Sequence, residues 1–154
     1  MFKVIVAGSR SLTDHLLVTD KLDKLFENKD LKDIEIVSGN APGADRLGEQ
    51  YAKDRKCDLT IMPASWSKYG KSAGYIRNDK MAKYADACVV FWDGGSPGSK
   101  HMIETAKKAG IPTKVVKFSP QQATRYRIKV INPPNGRMLS GTADQGTVVK
   151  SLQR

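Results

Sequence analysis

Cysteine, histidine and long apolar runs are all scarce in this chain, and each scarcity closes off a class of function. The two cysteines, Cys57 and Cys88, belong to no CxxC pair, and the two histidines, His15 and His101, add no zinc-ligand spacing. Cys88 sits inside an apolar run and is expected as a small buried side chain. A reduced, cytoplasmic protein is the simple expectation. No Ser-His-Asp spacing is present, and Asp45 and Asp93 lack the surrounding ligand cluster a metal ion needs, so neither metal nor cofactor is expected. No run of about 18 apolar residues occurs, and no membrane span is expected. Met1 to Val6 passes straight into an apolar strand pattern without a basic stretch or cleavage site, so a signal peptide is not expected either.

What remains is a chain of 154 residues, 40% apolar, enough for one domain with a real core. Its net charge is +10 and unevenly spread. Residues 119–154 carry Arg125, Arg127, Lys129, Arg137, Lys150 and Arg154 against the single acid Asp144. That balance fits an anionic partner, a small phosphate ligand or nucleic acid, and equally fits solubility alone.

Three glycine-rich turns follow three apolar runs. Val4-Ile5-Val6-Ala7 leads into Gly8-Ser9-Arg10. Ile34 to Val37 leads into Ser38-Gly39-Asn40-Ala41-Pro42-Gly43-Ala44-Asp45. Ala87 to Trp92 leads into Gly94-Gly95-Ser96-Pro97-Gly98-Ser99. Each turn opens onto a segment with helical periodicity. A strand, a Gly/Ser turn and a helix N-terminus direct several N–H groups at one spot, where the helix dipole favours negative charge. Three such spots predict a phosphate-bearing ligand, most simply a nucleotide or a derivative of one.

The wider pattern alternates strands and helices. Strands are expected at 2–7, 34–38, 58–62, 86–92 and 113–118. Helices are expected at 14–28, from about 43, at 74–84 and at 99–109, with a long loop over 63–72. In the first helix Val18, Leu22, Leu25 and Phe26 share a face, and Thr13 or Asp14 is the N-cap. Leu47, Tyr51 and Ala52 share a face of the second. Val/Ile-rich strands alternating with helices predict an α/β fold with a doubly wound parallel sheet of about five strands. Ligands of such sheets bind beyond the strand carboxyl ends, where all three glycine turns fall. Residues 1–118 are expected as this domain. Residues 119–154 are expected as a basic C-terminal extension, with Arg125–Ile131 and Arg137–Ser140 forming a β-hairpin about Asn132-Pro133-Pro134-Asn135-Gly136 and Val148-Val149 adding a short strand.

These turns, with Trp66-Ser-Lys-Tyr-Gly-Lys-Ser-Ala-Gly-Tyr-Ile-Arg-Asn at 66–78 and Met81, give the chain a specific resemblance from residue 2 to about 118. It resembles the SLOG (Smf/DprA–lonely guy) superfamily, most closely the small YspA-related branch. The resemblance implies a Rossmann-like nucleotide-binding domain and a homodimer or larger homo-oligomer with ligand near the interface. Members of the superfamily include phosphoribohydrolases, DNA-processing proteins and sensors of nucleotide-derived signals, and the YspA-related branch looks like the last. Arg77 matches the arginine of the phosphoribohydrolases. Their glutamate has no counterpart: the turn is one residue longer, Ser99 replaces threonine, and His101 and Met102 stand where glutamate is required, with Glu104 a helical turn too late. N-glycosidic hydrolysis needs a carboxylate beside the ribose.

The candidate ligand-binding residues are therefore Gly8, Ser9, Arg10, Ser38, Gly39, Gly43, Ala44, Asp45, Trp66, Tyr69, Arg77, Asn78, Gly94, Gly95, Gly98 and Ser99. Arg10 can grip phosphate bidentately, or is an ordinary surface arginine. Asp45 steadies its turn or accepts from ribose hydroxyls. Trp66 and Tyr69 stack on a base or staple their loop to the core. Gly94, Gly95, Gly98 and Ser99 are the best phosphate candidates. His101 is a weak contact candidate and His15 a helix-surface residue. The expected function is binding, by sensing or sequestration, of a nucleotide-like small molecule. The alternatives are a nucleotide phosphoribohydrolase or N-glycosidase using Arg77 with Glu104 or Asp45, and nucleic-acid binding through the basic tail.

Overall fold

The computed structural model describes residues 1–119, and the expected C-terminal hairpin lies outside them. Strands β1 (Phe2–Gly8), β2 (Ile34–Ser38), β3 (Asp58–Ile61), β4 (Ala87–Trp92) and β5 (Thr113–Lys117) form one sheet. Its order is β3-β2-β1-β4-β5, and every pairing is parallel. Helices α1 (His15–Leu25), α2 (Ala44–Arg55), α3 (Trp66–Tyr69), α4 (Ala73–Tyr84) and α5 (Pro97–Lys108) complete the α/β, Rossmann-like, doubly wound architecture.

The side-chain period of two splits the strands between two cores. Val4 and Val6 of β1, Ile34 and Ile36 of β2, and Val89 and Phe91 of β4 face Val18 and Leu22 of α1 and Tyr51 and Ala52 of α2. Their neighbours Ile5, Ala7, Val37, Cys88 and Val90 face Met81 and Ala82 of α4 and Met102, Ile103 and Ala106 of α5. Full burial of each large aliphatic side chain contributes about 1.5–3 kcal/mol. A central strand of Val and Ile therefore stabilises both layers at once.

The chain winds outward from β1 through β2 to β3, crosses back, and winds the other way through β4 to β5. The reversal lies between β1 and β4, whose carboxyl ends are adjacent at the Gly8–Phe91 register pair.

Local chemistry sets the helix ends. Asp14 caps α1, accepting the Leu17 amide at 3.1 Å. The helix stops at Leu25, and Leu25 is 38% exposed, because only Val18, Leu22 and Phe26 of the expected face point at the sheet. Helix α5 starts two residues earlier than its periodicity predicts, because Ser96 is the N-cap and Pro97 takes the first turn, where a missing N–H costs nothing. The expected loop 63–72 is helical in part. The Lys68 and Tyr69 amides donate to the Ser65 carbonyl to make α3, and a 3-10 turn over Gly70–Ser72 runs into α4.

Candidate functional site

One serine joins all three turns at the reversal point. The Ser9 amide donates to the Phe91 carbonyl at 2.9 Å, and the Ser9 carbonyl accepts from Ala44 at 3.2 Å and Leu12 at 3.3 Å. The Ser9 hydroxyl accepts the Asp93 amide at 3.0 Å and lies 3.4 Å from the Ser99 hydroxyl. Ser9 is buried beneath the rim and organises it.

The second turn carries a buried acid. Asp45 accepts the Ala41 amide at 3.0 Å. Burial raises its pKa to about 6, against the lowering influence of that amide and of the nearby Arg77 and Arg10 charges. Ser38 lies deeper, its hydroxyl donating to Glu49 at 2.6 Å and accepting the Asn40 amide at 3.0 Å. Gly43 has φ +80°, and a side chain there would run into the Ser9 and Arg10 carbonyls.

Helix α4 brings the matching base. Arg77 donates to the Gly39 carbonyl at 2.6 Å and to the Asn78 side-chain oxygen at 3.1 Å. Burial lowers its pKa, while Asp45 opposes that shift. Asn78 ties α4 to α5, meeting the Gly98 carbonyl at 3.5 Å and the His101 ring at 3.1 Å.

The third turn is braced by its own side chains. One oxygen of Asp93 accepts the Gly95 and Ser96 amides at 2.9 and 2.8 Å, which holds its pKa below the usual carboxylate value. The Ser96 hydroxyl accepts the Ser99 amide at 3.5 Å.

Together these elements wall a cleft of about 530 Å³ over the carboxyl ends of β1, β2 and β4. Of the expected site residues, Gly8, Arg10, Asp45, Trp66, Arg77, Asn78, Gly98 and Ser99 line it. Ser9, Ser38, Gly39, Gly43 and Ala44 lie behind the wall and shape it, while Tyr69, Gly94 and Gly95 are not part of the lining. Tyr69 instead has the Lys68 ammonium over its ring. Sequence reasoning did not single out Ser11, Lys71, Tyr75 or Ser96 as lining residues, and weighed Asp93 for a metal alone. The available signal for Tyr75 was its spacing from Asn78 and Met81, which places it one turn along the same helix.

Three cations, Arg10, Lys71 and Arg77, therefore share the cleft with two carboxylates, Asp45 and Asp93. Trp66 and Tyr75 are about half exposed at its edge, 51% and 48%. Of the residues standing where a hydrolytic glutamate is required, Met102 lines the cleft, and His101 turns away to stack on Tyr75 at 4.2 Å. Glu104 is exposed and is not part of the wall. A larger groove of about 820 Å³ lies between α4 and α5, away from the strand ends, and shares Tyr75 with the cleft. Among the described residues no group of three or more His, Cys, Asp or Glu side chains is placed to hold a metal ion.

Residues 2–69 match the model of the YspA, cpYpsA-related SLOG family. The chain is also 36% identical over 119 residues to the Gene 61 protein of Mycobacterium phage D29, covering 73% of this chain and 94% of that protein. The chain belongs to the YspA-related SLOG family. DNA processing protein A (DprA) of Streptococcus pneumoniae has a similar fold, with a TM-score of 0.60 at 19% identity over 77% of this chain. The SLOG chain spans about half of that protein's length, 51%. No helix among the described residues is long and apolar enough to cross a membrane.

Proposed function

We propose that the cleft binds a nucleotide-derived small molecule and holds it without cleaving it. The observation that carries this reading is the meeting of Arg10, Lys71 and Arg77 with Trp66 and Tyr75 in one cleft at the sheet's reversal point. Guanidinium and ammonium groups recognise phosphate, and an aromatic face stacks on a base for about 1–3 kcal/mol. The volume, about 530 Å³, suits a ligand of nucleotide size. Arg10 is exposed where it lines the cleft, which presents its charge to an incoming anion. Met102 in place of a carboxylate supports binding over hydrolysis.

The test is native mass spectrometry of the purified chain, followed by denaturation and analysis of what is released. An intact nucleotide derivative held per subunit supports the reading and gives the ligand class. Calorimetry with a nucleotide panel that finds no binding, for a chain that also purifies empty, overturns it.

A second reading is an N-glycosidase, favoured by Asp45 alone. A buried carboxyl titrating near pH 6 beside an arginine has the character of a general acid. Free base and ribose phosphate released from a nucleotide, and lost in Asp45→Asn, would establish it over the binding reading.

A further inference from the structure

A row of hydrogen bonds runs from the end of β2 through α4 to α5, and chemistry allows it only one sense. It begins in the cleft. Arg77 donates from Nη1 to the Gly39 carbonyl at 2.6 Å and from Nε to the Asn78 side-chain oxygen at 3.1 Å. A guanidinium has no acceptor, so the Asn78 oxygen, and not its nitrogen, faces the arginine. The Asn78 nitrogen is thereby turned towards α5, where it meets His101 Nδ1 at 3.1 Å and the Gly98 carbonyl at 3.5 Å. An amide nitrogen only donates. His101 Nδ1 is therefore the acceptor, and the proton of the neutral ring sits on Nε2.

His101 is outside the cleft wall, yet it touches two residues that form it. Its ring stacks on Tyr75 at 4.2 Å, with the two planes 26° apart. The Thr105 hydroxyl, one turn along α5, lies 3.4 Å from each ring nitrogen. Asn78 is buried, so bulk water has little access to replace a lost acceptor. Without Nδ1 the Asn78 amide keeps only its longer contact with Gly98, and its last torsion, which has broad minima, is free to turn. Arg77 then loses the bond at Nε and is held at one point in place of two. A guanidinium fixed at two points presents a set plane, which a bidentate contact with phosphate requires.

Resting on the small-molecule reading above, we propose that His101 is a positioning residue for the anion-binding arginine. In its Nε2–H tautomer it fixes the Asn78 amide, and Asn78 fixes the plane in which Arg77 meets the ligand's phosphate. His101 acts through Asn78 and contacts no ligand itself. The grip of the cleft on an anion thus depends on a ring that stands behind its wall.

The test is made on the full chain at about pH 8, where imidazole is neutral. Nitrogen-15 NMR of the histidine rings reads the tautomer. His101 is expected with a bare Nδ1 and a protonated Nε2, and a proton on Nδ1 overturns the proposal. Two variants then separate positioning from packing. His101→Phe keeps a flat ring against Tyr75 and removes the acceptor. His101→Asn sets its side-chain oxygen as many bonds from the backbone as Nδ1 and restores an acceptor. Exchange of the Arg77 Nε proton with water, followed without ligand, is expected to quicken at least fivefold in His101→Phe and to return towards the original rate in His101→Asn. AMP affinity by calorimetry follows the same order, falling at least fivefold in His101→Phe and largely recovering in His101→Asn. His101→Gln places the oxygen one methylene too far and stands in for His101→Phe if that variant does not fold. Unchanged exchange of the Arg77 proton, or equal AMP affinity across the folded proteins, overturns the proposal. No AMP binding by the unaltered protein, with the exchange contrast intact, sinks the nucleotide reading and upholds the hold of His101 on Arg77.

Discussion

Arg77 of α4 donates to the carbonyl of Gly39, 2.6 Å away at the end of β2, and so connects the two layers of the molecule across the mouth of the cleft. The arginine is thereby positioned before any ligand arrives. Arg77→Ala is expected to lower nucleotide affinity by at least tenfold and stability by about 1.5–3 kcal/mol, the range for a hydrogen bond to a charged group. Arg77→Lys should recover part of the affinity, because charge returns without the planar fork. Calorimetry paired with urea unfolding checks both; unchanged affinity in a folded Arg77→Ala protein would remove the arginine from the site.

Gly39→Ala offers a gentler version of the same experiment. A methyl group there would collide with the Arg77 guanidinium, the movable end of a long side chain, and press on the Asp45 carboxylate, and would meet no fixed backbone as closely. The variant should fold and displace the arginine. Its loss of affinity should be large relative to its loss of stability, and the reverse pattern would show that the contact serves the fold alone.

Asp45 gives the protein a pH dependence with a definite sign. Its folded pKa, about 6, stands above the ordinary 3.8 because of burial. The folded state therefore holds more protons than the unfolded state between those values, and stability falls as pH rises from about 4 to about 6. Two pKa units correspond to at most about 3 kcal/mol. Asp45→Asn should flatten that stretch of the stability curve and be more stable than the unaltered chain at pH 7. Sulfate, whose own charge is constant over this range, should bind more tightly as pH falls through 6, and Asp45→Asn should abolish the change. A stability curve of the same slope in both proteins would exclude Asp45 as its source.

Trp66 should report occupancy. It is half exposed at the cleft edge, whereas the Trp92 indole is engaged with the Ser96 carbonyl at 3.0 Å. A stacked base is expected to quench Trp66 emission, and Trp66→Phe should bind with the residual Trp92 signal unchanged. Quenching that persists in Trp66→Phe would place the ligand elsewhere.

Ser9→Ala removes one hydroxyl that is buried at the centre of the rim. The Asp93 amide would lose its acceptor, at an expected cost of about 1–3 kcal/mol. Urea unfolding measures it, and a difference under 0.5 kcal/mol would mean that water takes over the hydroxyl's role.

Much of the fold was legible because its signals are local. Val4 to Ala7 and Cys88 to Phe91 read as strands buried on both faces, and the glycine turns mark their carboxyl ends. The helix at 66–69 has no side-chain cap to announce it; the backbone carbonyls of Ser65 and Trp66, groups every residue owns, hold it. The site was half legible for a related reason. Sequence shows which backbone groups a Gly/Ser turn offers, but not which donors are already met by a side chain. The Asp93 carboxylate lies two and three residues before the amides it accepts, a spacing that an Asx-type turn makes readable in retrospect. Ser38 to Glu49 and Arg77 to Gly39 are contacts between separate elements that no local pattern announces.

The hydrogen bonds of Ser9 also fix how the rim can open. Its amide, carbonyl and hydroxyl hold the first turn, the start of α2 and the segment after β4 to a single point. No one of these loops can detach without releasing its neighbours. The amide protons of Ala44, Leu12 and Asp93 should therefore exchange with solvent at one shared rate, as members of a single cooperative unit, and a bound ligand should slow all of them by the same factor.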